Sequence, residues 1–465
     1  MDRRGRIRRL VAVPVATRRP GPGLAEHDGE ALFRSVRLAL RRVLSGIDPA
    51  GIAAVGLACQ RSTFLFWDPE SMRPLTPALS WQDRRGEEIC LALSRREKMI
   101  RSRTGLRLGP HYAASKIRWL LDRSPGLRRK AERGEARGGT LDAYLLSRLT
   151  GGDSWSTDPT HAARTLLMDL GQLDWDPDLL GLFRIPLRAL PPIRPSAFPA
   201  GEIRVRGTSL RIAATVGDQQ AALIGLGCRK PGEAGINYGT GAFVILNTGA
   251  RPRRVPGLLT SVAWSSEREV RYLLEGTVNA AGSAVEWIER LAGIRVRSSA
   301  RIPPVDRLPL VVPAFSGLGA PHWISGARAA IAGLDLSTGP EEMMAGTMAG
   351  IACRLAEILA TMRRGGLRPR RIVAGGGLAR RPGLLPLQAA LAGRGIERSL
   401  VAEGSCRGAA ILAGHSRGDW ALETDRRLEF PAARVAAGVT AAEARRLVLR
   451  FRSARRLVAS RAGAE

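Results

Sequence analysis

The sequence predicts an α/β protein built from two domains. Strand-like apolar segments alternate with segments of helical apolar spacing in both halves of the chain. The length of 465 residues exceeds what one hydrophobic core usually organises, and the composition, 45% hydrophobic and 25% charged, is typical of a globular protein. A stretch containing Gly and Pro, 227–235, is the best boundary. We therefore expect domains at 1–227 and 228–465.

The first half combines helical and strand-like patterns. Apolar residues at helical spacing and compact apolar runs predict helices at 30–44, 114–121 and 141–149, and strands at 52–58, 63–67 and 208–216. The Pro-rich segment 186–192 is predicted to be a connector. The sheet of the first domain is therefore expected to begin near residue 52.

The second half repeats the alternation of strands and helices. Its pattern predicts strands at 236–247, 270–274 and 371–374, and helices at 281–291 and 341–362. The strand at 371–374 stops at three consecutive glycines. We expect this half to carry an α/β core of its own.

Composition limits the cellular setting. The five cysteines form no C-x-x-C pair, so neither a zinc site nor a disulfide framework is indicated, and a reduced cytoplasm is expected. No apolar run approaches the roughly 18 residues that a membrane span needs, and the basic N-terminus lacks a signal-peptide layout. We therefore predict a cytoplasmic protein without a membrane partner.

The net charge of +30 is unusual. Such a charge favours a nucleic-acid partner, but the arginines that carry nearly all of it are spread along the chain. Few aromatic residues lie among them, which weakens a base-stacking interpretation. A bias in composition is the better explanation, and nucleic-acid binding stays the alternative.

The segment 217–243 carries the strongest chemical signal. A strand-like run leads to Gly217, Asp218 and Gln219, and further on Gly239, Thr240 and Gly241 follow one another. Glycines around a hydroxyl let backbone N–H groups approach a phosphate, and Asp218 could accept a hydroxyl proton. This combination suits phosphoryl transfer. The alternatives are an Asp218 that caps a helix and a Gly-Thr-Gly that makes an ordinary turn.

Five motifs in order resemble those of the FGGY carbohydrate kinases, and most closely their glycerol kinase branch. They lie at 56–68, 80–85, 217–243, 313–323, and 374–377 with 403–410. The resemblance implies two ribonuclease-H-like (actin-like ATPase) domains around a cleft, the first binding a polyol or sugar and the second ATP. It also implies ATP-dependent phosphorylation of a small polyol or sugar, with Mg²⁺, and a homodimer or homotetramer.

The resemblance assigns the acceptor site to seven positions. They are Arg61, Ser62, Trp81, His111, Asp218, Gln219 and Phe243, with Asp218 also the general base and the metal ligand. Two of them depart from the pattern of glycerol kinases, which have Glu at the place of Ser62 and Tyr at the place of His111. We therefore expect glycerol to be a poor acceptor. For Trp81 and Phe243, a position in the hydrophobic core is the alternative.

The nucleotide site is assigned in the same way. The implied ATP contacts are Gly239, Thr240, Gly241, Gly282, Gly376 and Arg380. Arg380 replaces a residue that is commonly Asn in the family, and its guanidinium could stack on adenine.

One family motif is missing from the sequence. FGGY kinases open with a strand and an Asp-x-Gly-Thr-Thr loop that holds phosphate and, through its Asp, Mg²⁺. This chain contains no Asp-x-Gly-[Ser/Thr]. The first domain is therefore expected to lack its N-terminal strand and hairpin, and the chain to be inactive unless extended upstream. The alternative function is that of a catalytically dead relative that binds a ligand or partner.

Overall fold

The structure is a computed structural model that describes residues 1–293 and 302–461. These ranges contain the following α-helices: α1 (Gly29–Val43), α2 (Glu87–Ala92), α3 (Glu97–Thr104), α4 (Ala113–Arg123), α5 (Pro125–Arg133), α6 (Leu141–Leu149), α7 (Pro159–Ala162), α8 (Pro177–Phe183), α9 (Asp218–Gly225), α10 (Gly282–Ala292), α11 (Pro340–Arg364), α12 (Leu384–Ala392), α13 (Gly404–Ser416) and α14 (Ala441–Arg461).

The same ranges contain short and medium strands. They are β1 (Glu26–His27), β2 (Val55–Cys59), β3 (Phe64–Trp67), β4 (Ala78–Leu79), β5 (Arg137–Thr140), β6 (Met168–Asp169), β7 (Asp174–Trp175), β8 (Gly201–Val205), β9 (Thr208–Gly217), β10 (Glu233–Tyr238), β11 (Ala242–Gly249), β12 (Leu259–Ser265), β13 (Val270–Val278), β14 (Leu310–Val312), β15 (Ala330–Ala332), β16 (Arg371–Gly375), β17 (Ile396–Ser399) and β18 (Ala432–Val435).

The first half holds a four-stranded sheet, ordered β1-β4-β3-β5, and a three-stranded sheet, ordered β8-β9-β2. In the second sheet β2 runs parallel to β9, with Cys59 opposite Gly217. Because parallel strands end at the same edge of a sheet, the residues that follow these two strands meet there. This register places Arg61, two residues after β2, next to Asp218, the first residue after β9.

The second half is organised by a seven-stranded sheet of order β12-β13-β11-β10-β16-β17-β18. Its strand β10 runs parallel to β16, with Asn237 opposite Gly375. The turn after β10 and the glycines after β16 therefore lie at one edge of this sheet. The long helix α11 packs against this sheet in the largest hydrophobic cluster, which includes Leu246, Leu274 and Leu355.

The two halves share a hydrophobic cluster at the junction between them. Helix α13 packs on α9 and on β2, and the cluster joins Val216 and Leu223 to Val373 and Ile411. The close approach of the two helices requires glycine at position 408, because a Cβ there would lie 1.8 Å from the carbonyl oxygen of Ala221. Helix α13 of the second half thus packs against α9, the helix that begins with Asp218.

Most predicted elements are present, with shifted ends. The helix predicted at 141–149 has those bounds, and the one predicted at 30–44 is α1. The strand-like stretch 236–247 is divided into β10 and β11, because Gly239, Thr240 and Gly241 form the turn of an antiparallel hairpin. The Pro-rich connector contains a short 3₁₀ turn, Leu187–Ala189.

Helix α11 bears on the prediction that the chain contacts no membrane. Among the described residues it is the one helix long and apolar enough to cross a bilayer, in contrast to the prediction that no apolar run reaches this length. Most of its apolar window is buried inside the protein, as Ile351, Leu355 and Ile358 illustrate. This burial is the expected environment of a core helix.

Candidate active site

Asp218 lies at the point where β9 ends and α9 begins. Its carboxylate Oδ1 is 3.5 Å from Arg61 Nε, and its side chain is 35% exposed. The amide of Gly217 donates a hydrogen bond to Thr160 Oγ1 at 2.7 Å, and Ser405 Oγ donates to the carbonyl oxygen of Asp218 at 2.9 Å. Gly217, not Asp218, occupies the N-cap position of α9. The capping alternative for Asp218 is therefore wrong, and its carboxylate is partly open to solvent.

A chain of amides connects Asp218 to the glycine turn. Gln219 Nε2 donates to Asp218 Oδ2 at 3.3 Å, and Asn237 Nδ2 donates to Gln219 Oε1 at 3.1 Å. Asn237 is the penultimate residue of β10, two residues before Gly239. The carboxylate and the turn are thus joined by two hydrogen bonds across the junction of the halves.

Behind Asp218 lies a buried ion-pair network. Arg61 Nη1 is 2.9 Å from Glu275 Oε2, and Arg164 Nη2 contacts the same oxygen. Burial opposes the ionisation of Glu275, but the charges of Arg164 and Arg61 outweigh it and lower the pKa of Glu275 to about 2. The carboxylates of Glu275 and Asp218 therefore neutralise the positive charges of Arg61 and Arg164. These ion pairs fix the position of the Arg61 side chain.

Three further acceptor-site candidates lie in the first half. Ser62 is buried in a left-handed conformation (φ 65°), and its Oγ donates to the carbonyl oxygen of Arg164 at 3.1 Å. The side chain of Trp81 is exposed, so the core alternative is wrong for this residue. Burial lowers the pKa of His111 to about 3, with help from the nearby Lys116 and Arg164, so its imidazole is neutral.

Phe243 differs from Trp81 in its surroundings. It lies on β11 and packs, partly buried, against the hydrophobic cluster shared by the two halves. Its ring therefore serves at least in part as a core side chain, which was the alternative to a wall of the acceptor site.

The backbone of the glycine turn, residues 239–241, packs directly against the start of helix α10. The amide of Gly239 donates to the carbonyl oxygen of Gly241 at 2.9 Å, and Thr240 at its tip is exposed. Helix α10 starts against this turn, because the amides of Gly282 and Ser283 donate to the carbonyl oxygens of Gly239 and Thr240. A Cβ at Gly282 would lie 2.6 Å from the carbonyl oxygen of Gly239. The turn and the N-terminus of α10 therefore form one unit.

Gly376 completes this edge of the sheet. It follows β16 with φ +94°, and a Cβ there would lie 2.3 Å from the carbonyl oxygen of Tyr238, so only glycine fits. Arg380 ends the 3₁₀ turn Leu378–Arg380 that comes next, and it is exposed. The structure thus brings together the residues predicted to hold ATP at one edge of the seven-stranded sheet.

A second carboxylate cluster lies behind the site. Asp142, Asp158 and His161 are fully buried, and their ligand atoms lie within 4.8 Å of one another, as in a metal site. His161 Nδ1 is 2.7 Å from Asp158 Oδ1, which is hydrogen-bonding distance and leaves no room for an ion between them. The cluster is therefore a buried ion pair of His161 with Asp158, and Asp142 lies beside it. The predicted metal ligand, Asp218, is not part of it.

Sequence reasoning missed Glu275, Arg164 and Asn237. Glu275 follows two leucines in β13 and is the one carboxylate of that strand, and a carboxylate next to buried apolar residues signals a buried partner. No sequence spacing connects it to Arg61 or Arg164, since the pairing depends on how the two halves dock. Asn237 lies two residues before Gly239, and this nearness to the glycine turn is the one signal that the sequence offered for it.

Two sequence models match the chain. The N-terminal domain of the FGGY family of carbohydrate kinases matches residues 1–225, and its C-terminal domain matches residues 234–417. The chain belongs to the FGGY family of carbohydrate kinases. As a member of this family it is a phosphotransferase that acts on an alcohol group. Nothing in the comparisons indicates a catalytically inactive form, so the expectation that the chain is inactive unless extended upstream gains no support from them.

Relatives with assigned activity support the same family. The chain is 43% identical to a glycerol kinase of Thermus brockianus over 415 residues, which is 87% of this chain and 84% of that protein. It is 40% identical to a glycerol kinase of Citrifermentans bemidjiense, over 90% of this chain and 88% of that protein. The resemblance to glycerol kinases inferred from the motifs is therefore confirmed.

Solved structures support the fold of this FGGY kinase. The Plasmodium falciparum glycerol kinase with ADP matches with a TM-score of 0.85 and 28% identity, covering 96% of this chain and 92% of that one. A ligand-bound xylulose kinase from Lactobacillus acidophilus matches with a TM-score of 0.84 at 22% identity, covering 100% of this chain and 96% of that one. The prediction of a two-domain α/β fold of the ribonuclease-H-like, actin-like ATPase type is confirmed.

Proposed function

We propose that this FGGY kinase transfers the γ-phosphoryl group of ATP to a hydroxyl of a small polyol or sugar, with Asp218 as general base. The observation that carries the proposal is the placement of Asp218. Its Oδ1 faces Arg61, and its Oδ2 leads through Gln219 and Asn237 to the glycine turn. A hydroxyl that approaches this carboxylate therefore stands between the acceptor residues and the phosphate cradle.

The proposed step needs position and charge more than covalent help. The acceptor oxygen forms its bond to the γ-phosphorus, the bond to the bridging oxygen of ADP breaks, and Asp218 receives the hydroxyl proton. Arg61 and Gln219 carry N–H groups for neighbouring hydroxyls of the acceptor. The exposed face of Trp81 offers an apolar surface for its carbon chain.

ATP is proposed to bind at the edge of the seven-stranded sheet. Thr240, exposed at the tip of the glycine turn, can donate to an anionic phosphate, and the positive end of the α10 dipole, which starts against this turn, favours the same charge. Gly376 lets the backbone pass close to the same edge of the sheet, and the exposed guanidinium of Arg380 is proposed to stack on the adenine. ADP in the Plasmodium falciparum relative supports a nucleotide at this fold.

Mg²⁺ fits this arrangement as an ion held mainly by the phosphates. Mg²⁺ is commonly bound by one or two carboxylates together with phosphate oxygens and waters, and Asp218 supplies one partly exposed carboxylate. When bound, Mg²⁺ neutralises the charge that builds on the transferred phosphoryl group. Asp218 is the residue that would hold it from the side of the acceptor.

Replacement of the base tests this function. Asp218→Asn keeps the shape and removes the proton acceptor, so phosphorylation of glycerol or erythritol should fall by roughly 10²–10⁴-fold. Binding of ADP, measured by calorimetry, should be unchanged. Asp153→Asn, at an exposed position, is the matched control and should retain full activity. Full activity of Asp218→Asn would contradict the proposed role.

The acceptor is proposed to be a polyol or sugar other than glycerol. Ser62 is turned away to the carbonyl oxygen of Arg164, and His111 is neutral, so neither supplies the carboxylate or phenol that glycerol kinases have there. Erythritol or a pentulose should therefore be phosphorylated with a higher kcat/KM than glycerol. The double variant Ser62→Glu with His111→Tyr should shift the preference toward glycerol. A wide preference of the unaltered protein for glycerol would show that both replacements are neutral.

The remaining properties are proposed from composition and family. We expect a cytoplasmic enzyme, assembled as a homodimer or homotetramer, without a nucleic-acid partner. Light scattering on the purified protein would give the assembly directly.

A further inference from the structure

Lys116 on α4 occupies an unusual position. Its side chain is fully buried, and its Nζ lies 3.0 Å from the carbonyl oxygen of Ser62, 2.8 Å from that of Ser80 and 3.0 Å from that of His111. An ammonium group has three N–H donors and no acceptor, so these three carbonyls use all of them. One side chain thus connects three segments that are far apart in the sequence.

The three segments are those that carry the acceptor-site residues. Ser62 and His111 are themselves in the proposed site, and Ser80 directly precedes Trp81. The amide of Trp81 also donates to Thr63 Oγ1 at 3.3 Å, which ties the second segment to the first. A displacement of Lys116 would therefore move all three walls of the proposed acceptor pocket together.

The charge of Lys116 is held without a carboxylate partner. In the parts of the chain that the structure describes, no ion pair includes Lys116, and the nearby Asp83 is bound to Arg85 at 2.8 Å. A buried ammonium without a counter-ion is costly unless its hydrogen bonds are complete. Burial, and secondarily the charge of Arg85, lowers the pKa of Lys116 to about 7, although Asp83 acts in the opposite direction.

We propose that Lys116, through the three N–H donors of its ammonium group, is a positioning residue that assembles the acceptor pocket, and that loss of its proton weakens acceptor binding. This proposal rests on the proposed function, because it takes Ser62, Trp81 and His111 as the acceptor site. A neutral amine has two N–H donors and a lone pair, and the lone pair would face one of the three carbonyl oxygens. Loss of the proton therefore releases one segment of the pocket.

Lys116 is the group in this cluster whose pKa lies near neutrality. Asp83 and Arg85, in the loop after β4, form an ion pair. Burial raises the pKa of the Cys90 thiol on α2 to about 11, so this thiol stays protonated. The imidazole of His111, whose pKa is about 3, stays neutral. A change of acceptor affinity around pH 7 is therefore expected to report on Lys116.

The experiment measures acceptor binding and turnover as functions of pH in the full chain. Calorimetry follows erythritol and glycerol in the presence of a non-hydrolysable ATP analogue, and steady-state kinetics give KM for the acceptor and for ATP. In the unaltered protein the acceptor Kd and KM should rise by roughly tenfold between about pH 6 and about pH 8.5, while KM for ATP stays constant. A flat acceptor profile would overturn the proposal.

Variants of the lysine provide the second arm. Lys116→Met keeps the stem and removes the donors, so acceptor KM should rise roughly tenfold at low pH, and its pH dependence should vanish. Lys116→Arg stays charged throughout, so it should bind the acceptor in part and also lose the pH dependence. Lys98→Met, at an exposed position on α3, is the control and should retain the profile of the unaltered protein.

The outcomes separate this proposal from the proposed function. If the unaltered protein binds erythritol or glycerol but transfers no phosphate, the proposed function fails, and the calorimetric pH profile still decides the role of Lys116. If turnover is present and Lys116→Arg, correctly folded, keeps the pH dependence of acceptor KM, the role of Lys116 is refuted and the kinase function stands. Should Lys116→Met fail to fold, the profiles of the unaltered protein and of Lys116→Arg carry the test.

Discussion

His161 links the ends of β2 and β9, the two strands that Arg61 and Asp218 follow. Its Nδ1 lies 2.7 Å from Asp158 Oδ1 and 3.5 Å from Asp142 Oδ2, and its Nε2 lies 3.3 Å from the carbonyl oxygen of Cys59. Asp158 also accepts from Thr160 Oγ1, which in turn accepts from the amide of Gly217. The ends of β2 and β9 are therefore held by one buried polar network.

The network predicts that stability depends on pH through His161. Burial lowers the pKa of His161, but Asp142 and Asp158 outweigh this and raise it to about 9. Since the pKa is about 6.5 in the unfolded chain, the proton stabilises the fold fully below about pH 6.5, and this contribution is lost as pH rises through about 9.

Thermal unfolding of His161→Asn measures this contribution by difference. Lys116 has the opposite effect on the pH profile, because its lowered pKa makes stability rise between about pH 7 and about pH 10.5. The two effects overlap in the unaltered protein. The Tm difference between it and His161→Asn should therefore be large near pH 6 and shrink toward pH 9.5. A constant difference would mean that His161 is neutral in the folded state.

The contact between α9 and α13 sets the position of the helix that begins with Asp218. A Cβ at Gly408 would lie 1.8 Å from the carbonyl oxygen of Ala221, and one at Gly225 would lie 2.0 Å from that of Gly404. Both obstructing atoms belong to the backbone, so relief requires that the helices move apart. Asp218 is the first residue of α9, and a shift of this helix moves its carboxylate.

Gly408→Ala is therefore predicted to lower both stability and activity. Overpacking of this kind costs about 1–3 kcal/mol or more, and a displaced base should reduce kcat while leaving ADP binding nearly unchanged. The matched control is Gly126→Ala on α5, where a Cβ meets open space, and where the change should stabilise by about 0.4–1 kcal/mol. Urea unfolding and steady-state kinetics measure both effects. Equal behaviour of the two variants would contradict this description of the contact.

The helices also show which elements the sequence can predict. Helices such as α1 and α6 follow from apolar residues at helical spacing, so their bounds were predicted within a residue or two. Helix α13, the sequence of which is rich in Gly and Ala, gives no such pattern, because it packs by close backbone approach. Asp218 and the glycine turn were recognisable as motifs, whereas Glu275 and Lys116 acquire their partners only through the docking of distant segments.

At the scale of the whole molecule, charge is the dominant feature. The chain has 72 Lys and Arg residues against 42 Asp and Glu, so even complete pairing would leave an excess of 30 positive charges. Several arginines are committed to internal contacts, such as Arg371 with Glu397 and Arg407 with the carbonyl oxygen of Gly5. The remaining excess lies on the surface, where like charges repel and salt screens them.

This excess charge predicts a response to salt that also tests the nucleic-acid alternative. If the charge is a bias in composition, screening of the repulsion should raise Tm between about 0.01 M and about 0.3 M NaCl, where the Debye length falls below 10 Å. Retention on DNA or RNA should vanish over the same range, because non-specific binding of phosphates weakens steeply with salt. Turnover should not change when duplex DNA or RNA is added. Submicromolar binding of one nucleic acid at physiological salt, with discrimination between sequences or shapes, would instead favour a dedicated nucleic-acid surface, because counter-ion release alone gives no such preference.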